Sequence, residues 1–320
     1  KKTLPKVREA LLGWYRQNHR KLPWRENTDP YRIWISEIML QQTRVAAVIE
    51  YYWRFLERFP DVKALASASE EEVVSAWSGL GYYRRARAMH AAAKKVTQEY
   101  GGEFPRTIGE LRALPGIGRY TAAAIASIAF GSPTAVVDGN VERVLSRWLG
   151  RDLRDREETW AYAEQLLEAK HAGEWNQAVM ELGALVCVPA EPKCLNCPVS
   201  QYCGDPGRKT KKPQGMRRKK ELVMGLASRG GSVYLVQRPV EERIMAGMWE
   251  LPTCDAVNGS EVLHKVRHSI TNSDYQVSVV AANPGTVRGG KWITKSKLQK
   301  LPLTGLTKKI LRAANLWPQA

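Results

Sequence analysis

Four of the five cysteines in this 320-residue chain lie within seventeen residues of one another. Their spacing is Cys187-x6-Cys194-x2-Cys197-x5-Cys203. Four thiolates bind either a zinc ion or a [4Fe–4S] cluster. Zinc sites usually combine two Cys-x2-Cys pairs, whereas one such pair with wider gaps on both sides occurs here. The spacing therefore favours an iron–sulfur cluster, with zinc as the alternative.

A glycine-containing turn lies between two helical stretches at Leu114–Thr121, with the sequence Leu-Pro-Gly-Ile-Gly-Arg-Tyr-Thr. Pro115 and Gly116 are expected to end one helix, and Gly118 allows a tight turn into the next. The free N–H groups at the start of that second helix can hold a phosphate without reading base sequence. Taken with the cysteine array, the turn predicts a helical hairpin that binds the DNA backbone.

Two carboxyl groups are candidates for acid–base chemistry. Glu37 lies in a helical stretch with Ile33, Trp34 and Leu40 one turn away, so we expect a desolvated carboxyl that favours its protonated form. Asp138 precedes a predicted helix start, where a capping carboxylate accepts N–H bonds and stays ionised. Such a pair supplies a general acid and an anion. The alternatives are a solvent-facing Glu37 and a purely structural cap.

The elements that must position these residues fall into two regions. Helical spacing recurs at residues 6–17, 31–41, 43–58, 70–77, 84–100 and 155–170. Strand-like segments occur at 221–228, 232–238 and 275–281, with a closing helix at 306–315. We therefore expect a multi-domain chain. It would comprise an all-α domain at 1–205, a basic linker at 206–220 and an α+β domain at 221–320.

Charge is distributed unevenly between these regions. The chain carries 49 Lys and Arg against 32 Asp and Glu, and residues 206–320 alone carry 21 against 7. A surface this basic favours a polyanionic partner such as nucleic acid. No apolar run approaches the length of a membrane span, and no apolar segment follows Lys1–Pro5 as in a secretory signal. We expect a cytoplasmic protein in which metal ligation is favoured over disulfides.

Residues 1–205 resemble the helix-hairpin-helix DNA glycosylases, and within them the MutY family of adenine DNA glycosylases. The resemblance covers the whole predicted first domain, and its motifs are highly specific in combination. They are Leu22-Pro23-Trp24-Arg25, Ser36–Thr43, Gly79-Leu80-Gly81-Tyr82-Tyr83, the hairpin at 114–121, Val137-Asp138-Gly139-Asn140-Val141 and the four cysteines. The resemblance implies base excision repair: removal of adenine mispaired with 8-oxoguanine or guanine in duplex DNA.

The resemblance also assigns roles to individual residues. Glu37 would protonate N7 of a flipped-out adenine, and Asp138 would stabilise the sugar cation by charge or by transient covalent attachment. Tyr120 and Asn140 would position Asp138 and the attacking water. The implied contacts with DNA or with the adenine are Trp24 and Arg25 in the adenine pocket, Gln42 and Tyr82 as wedges, and Thr43, Leu80, Gly116 and Gly118.

One hairpin position separates related activities. Related lyases such as endonuclease III carry a lysine where this chain has Tyr120, and that lysine forms a Schiff base with the sugar. Tyrosine cannot do so, which implies a monofunctional glycosylase that uses water. A thymine mismatch glycosylase of the same superfamily and a non-catalytic iron–sulfur DNA-binding protein remain as alternatives.

The second predicted domain resembles the MutT-like, or Nudix-type, domain that ends this family. Gly247–Pro252 resembles the stretch before a Nudix box, but the box and its run of glutamates are missing from 255–266. A binding role is therefore expected in place of pyrophosphate hydrolysis. His268-Ser269-Ile270-Thr271-Asn272 resembles the lesion-sensing loop of the family, with Asn272 in place of a final histidine. The alternative is an ordinary strand end.

These inferences set the expected cofactor and partners. The cofactor is a [4Fe–4S] cluster on Cys187, Cys194, Cys197 and Cys203. The partner is double-stranded DNA that contains an 8-oxoguanine:A or G:A mispair, bound by a monomer on the DNA of a bacterial nucleoid. No membrane association is expected.

Overall fold

Helices and short turns form the residues up to 209 that the structure describes, and the first strand begins at Arg218. The computed structural model describes residues 3–153, 155–209, 217–239, 241–242, 244–254, 261–270, 272–286 and 289–318. The chain forms two compact units. The first is Lys1–Leu56, Asp61–Lys63 and Ala91–Pro213, and the second is Glu57–Pro60, Ala64–His90 and Gln214–Ala320.

The helices before the first strand follow the predicted order. They are α1 (Leu4–Asn18), α2 (Pro30–Leu40), α3 (Val45–Arg58), α4 (Val62–Ser67), α5 (Glu70–Ala76), α6 (Arg84–Tyr100), α7 (Ile108–Arg112), α8 (Arg119–Phe130), α9 (Gly139–Leu149), α10 (Arg156–Leu166) and α11 (Ala172–Leu185). The six helices predicted from apolar spacing are confirmed as α1, α2, α3, α5, α6 and α10. Helix α11 was not predicted, because it is buried over much of its surface and lacks a clear polar face.

Side-chain caps fix where several of these helices begin. Asp29 accepts a hydrogen bond from the Tyr31 N–H, and Pro30 occupies the first turn of α2, as its sequence predicts. Thr107 and Glu110 form a reciprocal capping box at α7. These caps hold the helices that carry Glu37 and the hairpin in a fixed register.

Helix α11 lies at the centre of the first unit, where it packs against α1, α8 and α9. Side chains in this core that are fully buried include Leu11, Ala124, Val144, Ala178 and Leu182. Burying one such aliphatic side chain contributes about 1.5–3 kcal/mol relative to its exposure. The helices that carry the candidate site residues are therefore held together mainly by apolar contact with α11.

A buried carboxylate on α11 fixes the chain that follows α1. Glu181 is 1% exposed and accepts hydrogen bonds from the Arg20 backbone N–H (2.8 Å) and from the Arg20 and Arg25 guanidinium groups (2.7 and 3.0 Å). Burial alone would raise its pKa, but the two arginines lower that pKa to about 2. The carboxylate is therefore ionised and fully paired at neutral pH.

The second unit contains one mixed sheet and one antiparallel sheet. Its strands are β1 (Arg218–Leu226), β2 (Ser228–Arg229), β3 (Ser232–Gln237), β4 (Trp249–Glu250), β5 (Thr253–Cys254), β6 (Val262–Ile270), β7 (Ser273–Ala281) and β8 (Gly290–Thr294). One sheet has the order β5-β1-β7-β6, with β1 and β7 parallel, and in the other β3 pairs with β2, β4 and β8. The helices α12 (Lys295–Leu298) and α13 (Gly305–Ala313) follow.

The boundaries of this unit differ in two ways from those expected. Strand β1 begins at Arg218, so residues 218–220 of the predicted linker belong to the sheet, where they pair with β7. Residues 64–90, expected in the helical domain, belong to the second unit. There the buried Ser78 hydroxyl donates to the Leu303 carbonyl (2.9 Å), and Arg87 donates to the carbonyl of Ala246. Such long-range contacts leave no mark on local sequence periodicity.

The paired state of Glu181 leads to a stability prediction. Removing one partner of a buried ion pair leaves uncompensated charge, so Glu181→Ala should lower the free energy of unfolding by about 3–5 kcal/mol. Because the pKa of Glu181 is depressed in the folded state, its contribution should be complete above the pKa of an unfolded glutamate and should decline as the pH falls towards 2. Urea unfolding at several pH values measures both effects.

Glu174 provides a matched control on the same helix. It also pairs with an arginine of α1, Arg16 (2.7 Å), but both side chains reach solvent. Glu174→Ala should therefore cost less than about 1 kcal/mol. Equal losses in the two variants would show that the burial of Glu181 adds nothing.

Candidate active site

Glu37 lies on α2 among apolar neighbours and is 7% exposed. The pKa of this carboxyl is raised to about 7, mainly by burial and in smaller part by the negative charge of Asp138. A hydrogen bond from Tyr120 and the charge of Arg25 act in the opposite direction. Glu37 is thus a carboxylic acid that exchanges its proton near neutral pH, as required of a general acid.

The Tyr120 hydroxyl donates to Oε2 of Glu37 at 2.7 Å and lies 3.5 Å from the Met180 sulfur. Sequence resemblance assigns this tyrosine to Asp138, whereas its hydrogen bond in the structure is with Glu37. The difference follows from helix packing, because α8 packs against α2 and brings residue 120 to Glu37. The side chain of Tyr120 therefore contacts the Glu37 carboxyl.

Asp138 caps the start of α9, as its position in the sequence predicts. Its Oδ1 accepts the N–H groups of Asn140 (2.9 Å) and Val141 (2.7 Å), and its Oδ2 accepts the Asn140 amide (3.2 Å). Burial raises the pKa of Asp138 above its usual value, and these bonds and the charge of Arg143 offset only part of that rise. The cap was predictable from sequence, but the opposing burial was not, because it comes from other helices.

Arg143 holds the amide of Asn140 from the other side. Its guanidinium donates to Oδ1 of Asn140 (2.9 Å), to the Gly183 carbonyl (2.7 Å) and to the Cys187 carbonyl (2.9 Å). Since Oδ1 accepts from a cation, the Asn140 NH2 group faces Asp138. The orientation of this amide is therefore fixed by its own hydrogen bonds.

The residues expected in an adenine pocket are held by packing and charge. Trp24 is buried with its ring edge-on to Tyr52 (5.5 Å), and Arg25 lies over the Tyr15 ring while it binds Glu181. Sequence reasoning did not identify Glu181 as a partner of Arg25. The sequence does contain a pattern that indicates a buried acid at this position. Glu181 is an acidic residue between Met180 and Leu182 on an apolar helix, as Glu37 is on α2.

The predicted hairpin connects α7 to α8. Gly116 has φ = 77°, a left-handed conformation that favours glycine, and the exposed Gly118 caps α8 without a side-chain hydrogen bond. A Cβ atom at Gly118 would meet nothing within 4 Å. The backbone at the start of α8 is thus open to a ligand.

Two exposed residues have left-handed backbones that are unusual outside glycine. Gln42 has φ = 57° and Tyr82 has φ = 50°, and the Tyr82 side chain is 47% exposed. Non-glycine residues in this conformation often mark functional loops. Thr43 is half-buried, with its hydroxyl donating to the Gln41 carbonyl (3.3 Å). Leu80 is 7% exposed, and its backbone N–H donates to the Trp77 carbonyl (3.1 Å).

The four clustered cysteines line one pocket that is partly open to solvent. The buried Arg147 guanidinium donates to the Cys187 sulfur (3.1 Å) and to the Cys187 carbonyl (3.1 Å). No group of three or more His, Cys, Asp or Glu among the residues described here has the geometry to hold a single metal ion.

Part of the expected lesion loop lies at the end of the β6–β7 hairpin. Ile270 pairs with Ser273, Asn272 is exposed in the turn, and its carbonyl accepts the Arg218 N–H (2.9 Å). Thr271 lies outside the described residues. His268 is half-buried, and burial and the nearby charge of Lys309 lower its pKa.

Residues 35–169 match the HhH-GPD superfamily of base excision DNA repair proteins. The solved structure of a thermostable thymine-DNA glycosylase is similar to this chain at 30% identity with a TM-score of 0.59, covering 63% of this chain and 95% of that one. Within the described residues, every helix is too short or too polar to cross a membrane. The helical region therefore has the HhH-GPD glycosylase fold, followed by a region that contains the sheets.

Curated relatives extend the similarity to the rest of the chain. The human adenine DNA glycosylase is 50% identical over 210 residues, which cover 61% of this chain and 38% of the human protein. This chain thus spans less than half the length of that relative. The rat adenine DNA glycosylase aligns over 398 positions at 35% identity, covering 95% of this chain and 77% of the rat protein. The chain belongs to the adenine DNA glycosylase family.

Proposed function

We propose that the chain is a monofunctional DNA glycosylase that removes adenine opposite 8-oxoguanine or guanine in duplex DNA. The observation that carries this proposal is the buried Glu37 carboxyl, with a pKa of about 7 and a 2.7 Å hydrogen bond from Tyr120. An adenine base leaves the sugar more readily when its N7 is protonated. A protonated carboxyl beside the base supplies that proton at neutral pH.

The base must leave the helical stack before Glu37 can reach it. The hairpin holds a DNA phosphate on the open backbone of α8, and the exposed Gln42 and Tyr82 wedge the duplex. The strained backbones of these two residues support this role. Trp24 and Arg25, fixed by Tyr52 and Glu181, form the wall that receives the adenine.

Bond cleavage then separates charge between the base and the sugar. Glu37 gives its proton to N7, the bond between N9 and C1′ breaks, and its electron pair goes to the base. Asp138 stabilises the positive sugar by charge or by transient covalent attachment. Asn140, oriented by Arg143, donates to Oδ2 of Asp138 and holds that carboxylate in one orientation. Water completes the reaction at C1′ and releases a proton.

The cysteine pocket fits a [4Fe–4S] cluster. Each cysteine of such a cluster binds a different iron atom, and all four cysteines here line one pocket. The Arg147 N–H directed at the Cys187 sulfur is a hydrogen bond of the kind that tunes cluster ligands. When bound, the cluster supplies the bonds that hold residues 187–203 as one loop, and its role is structural or DNA-positioning.

The second unit provides lesion recognition in this proposal. The resemblance of Gly247–Pro252 to the stretch before a Nudix box supports a MutT-like, Nudix-type assignment for the C-terminal region. Asn272 is exposed at a hairpin turn and has an amide that can donate to the oxidised base. The protein acts as a monomer on intracellular DNA.

A strand-cleavage assay tests both the activity and the absence of a lyase step. Incubation with 8-oxoguanine:A duplex should release adenine but leave the strand intact until alkali is added, because Tyr120 cannot form a Schiff base. Borohydride should trap negligible covalent complex. G:A and G:T duplexes and a Glu37→Gln control complete the set. Release of thymine from G:T without release of adenine would instead favour the thymine glycosylase, whose structure resembles this chain.

The contact between Tyr120 and Glu37 predicts a particular pH dependence. Glu37 acts while protonated, so the single-turnover rate should fall as the pH rises through about 7. Since the Tyr120 hydrogen bond lowers the Glu37 pKa, Tyr120→Phe should move this descending limb to higher pH. A shift of about one pH unit corresponds to roughly 1.4 kcal/mol, a usual value for a hydrogen bond to a charged group.

The control is Tyr162→Phe, which removes another half-buried hydroxyl in the first unit, on α10. Its pH profile should match the wild type. Movement of the acidic limb in Tyr120→Phe, with the alkaline limb unchanged, would place the action of this hydroxyl on Asp138.

The proposed cluster predicts a colour and a stoichiometry. Purified protein should be brown, with absorbance near about 400 nm and about four iron atoms per chain. Cys197→Ser should lose this absorbance, whereas Cys254→Ser should retain it, because Cys254 lies on β5 and not among the pocket residues. A colourless and active preparation that contains zinc would contradict the assignment.

A further inference from the structure

Helix α11 passes the start of α9 at a point where it carries no side chain. The residue is Gly183, and a Cβ atom built on it would lie 2.8 Å from Cβ of Asn140 and 3.2 Å from its carbonyl oxygen. Non-bonded carbon atoms pack at about 3.5–4.0 Å. Any other residue at position 183 would therefore push Asn140 away from α11.

Asn140 contributes two of the hydrogen bonds that hold Asp138. Its backbone N–H donates to Oδ1 (2.9 Å) and its amide donates to Oδ2 (3.2 Å). These contacts lie within the first turn of α9, where Asp138 is the capping residue. Displacement of residue 140 by a few tenths of an ångström thus moves both oxygens of the carboxylate.

Gly183 also contacts the same turn through its carbonyl group. This oxygen accepts from the Arg143 guanidinium (2.7 Å), which donates to Oδ1 of Asn140 as well (2.9 Å). The backbone of residue 183 is thus bound to the group that orients the Asn140 amide. The close approach of α11 to the start of α9 and the orientation of the Asn140 amide therefore both depend on Gly183.

We propose that Gly183 is a positioning residue for the excision reaction, which places Asp138 through Asn140 because it leaves room for the first turn of α9. The inference rests on the proposed function, because Gly183 acts through Asp138 and Asp138 takes part in adenine excision only under that proposal. The position contributes to the rate of bond cleavage and not to the binding of DNA.

Two other helical glycines separate this role from ordinary packing. A Cβ atom at Gly173, also on α11, would lie 2.6 Å from the Ser127 carbonyl oxygen on α8 and meets neither Asp138 nor Asn140. A Cβ atom at Gly13 on α1 would meet nothing within 4 Å. Gly173→Ala thus tests the effect of a packing overlap away from the Asp138 carboxylate. Gly13→Ala tests the effect of a methyl group that overlaps nothing.

The first experiment measures single-turnover adenine release, the dissociation constant for 8-oxoguanine:A duplex and the melting temperature of each alanine variant. Gly183→Ala should lower the single-turnover rate about 10- to 100-fold, the cost of displacing a reacting group by up to 1 Å. Its dissociation constant should change less than about threefold. Gly173→Ala should lower the melting temperature but keep the wild-type rate at a temperature where it is folded, and Gly13→Ala should match the wild type.

The second experiment tests whether the effect passes through residue 140. Asn140→Gly removes the Cβ atom that meets residue 183, whereas Asn140→Ala keeps it, and both remove the amide. In the Gly183→Ala background, Asn140→Gly should cost at least about fivefold less than it does in the wild type, because it also relieves the overlap. Asn140→Ala should show no such relief.

Any of three outcomes would overturn the proposal. Two are a wild-type rate in Gly183→Ala and equal, additive effects of Asn140→Gly and Asn140→Ala in both backgrounds. Failure of the proposed function would differ from either, because the wild-type protein would then release no adenine. A loss of rate that follows only the unfolded fraction in the melting curves would also reject a positioning role.

Discussion

The rest of the site depends on one carboxyl group, that of Glu37, held in an apolar environment. Charging Glu37 is unfavourable there, so its pKa lies near 7, and the single short hydrogen bond from Tyr120 limits the shift. Glu181, on a helix packed nearby in the same unit, shows the opposite solution. It is equally buried, yet two arginines keep it ionised. Burial alone therefore does not decide the state of an acid, because the partners supplied by neighbouring helices do.

Helix α11 supplies much of this partner set. Met180 contacts the Tyr120 hydroxyl, Glu181 binds Arg25, and Gly183 lies against Asn140. Two residues after the helix ends, Cys187 begins the cysteine loop. One helix thus contacts several residues of the proposed site and leads into the cysteine loop.

Sequence patterns indicated those features that depend on nearby residues. The Asp29 and Asp138 caps, the hairpin glycines and the helices with a polar face follow from local rules and were predictable. The burial of Asp138 and the bond between Tyr120 and Glu37 were not, because they arise where α2, α8 and α9 meet. Helix α11 was missed for the same reason, since a helix covered on most sides carries no alternation. Family resemblance supplied the roles of residues, while geometry assigned Tyr120 to a different carboxylate.

The assignment of residues 64–90 to the second unit affects how this protein can be divided. The superfamily match covers residues 35–169, so a fragment cut after the cysteine loop would contain all of it. Such a fragment would keep Ser78 but lose its acceptor, the carbonyl of Leu303, and Arg87 would lose that of Ala246. Buried donors would be exposed or left unsatisfied at the cost of stability. The residues that match the superfamily and the residues of the first unit therefore do not coincide, and truncation would remove contacts made by residues of the helical region.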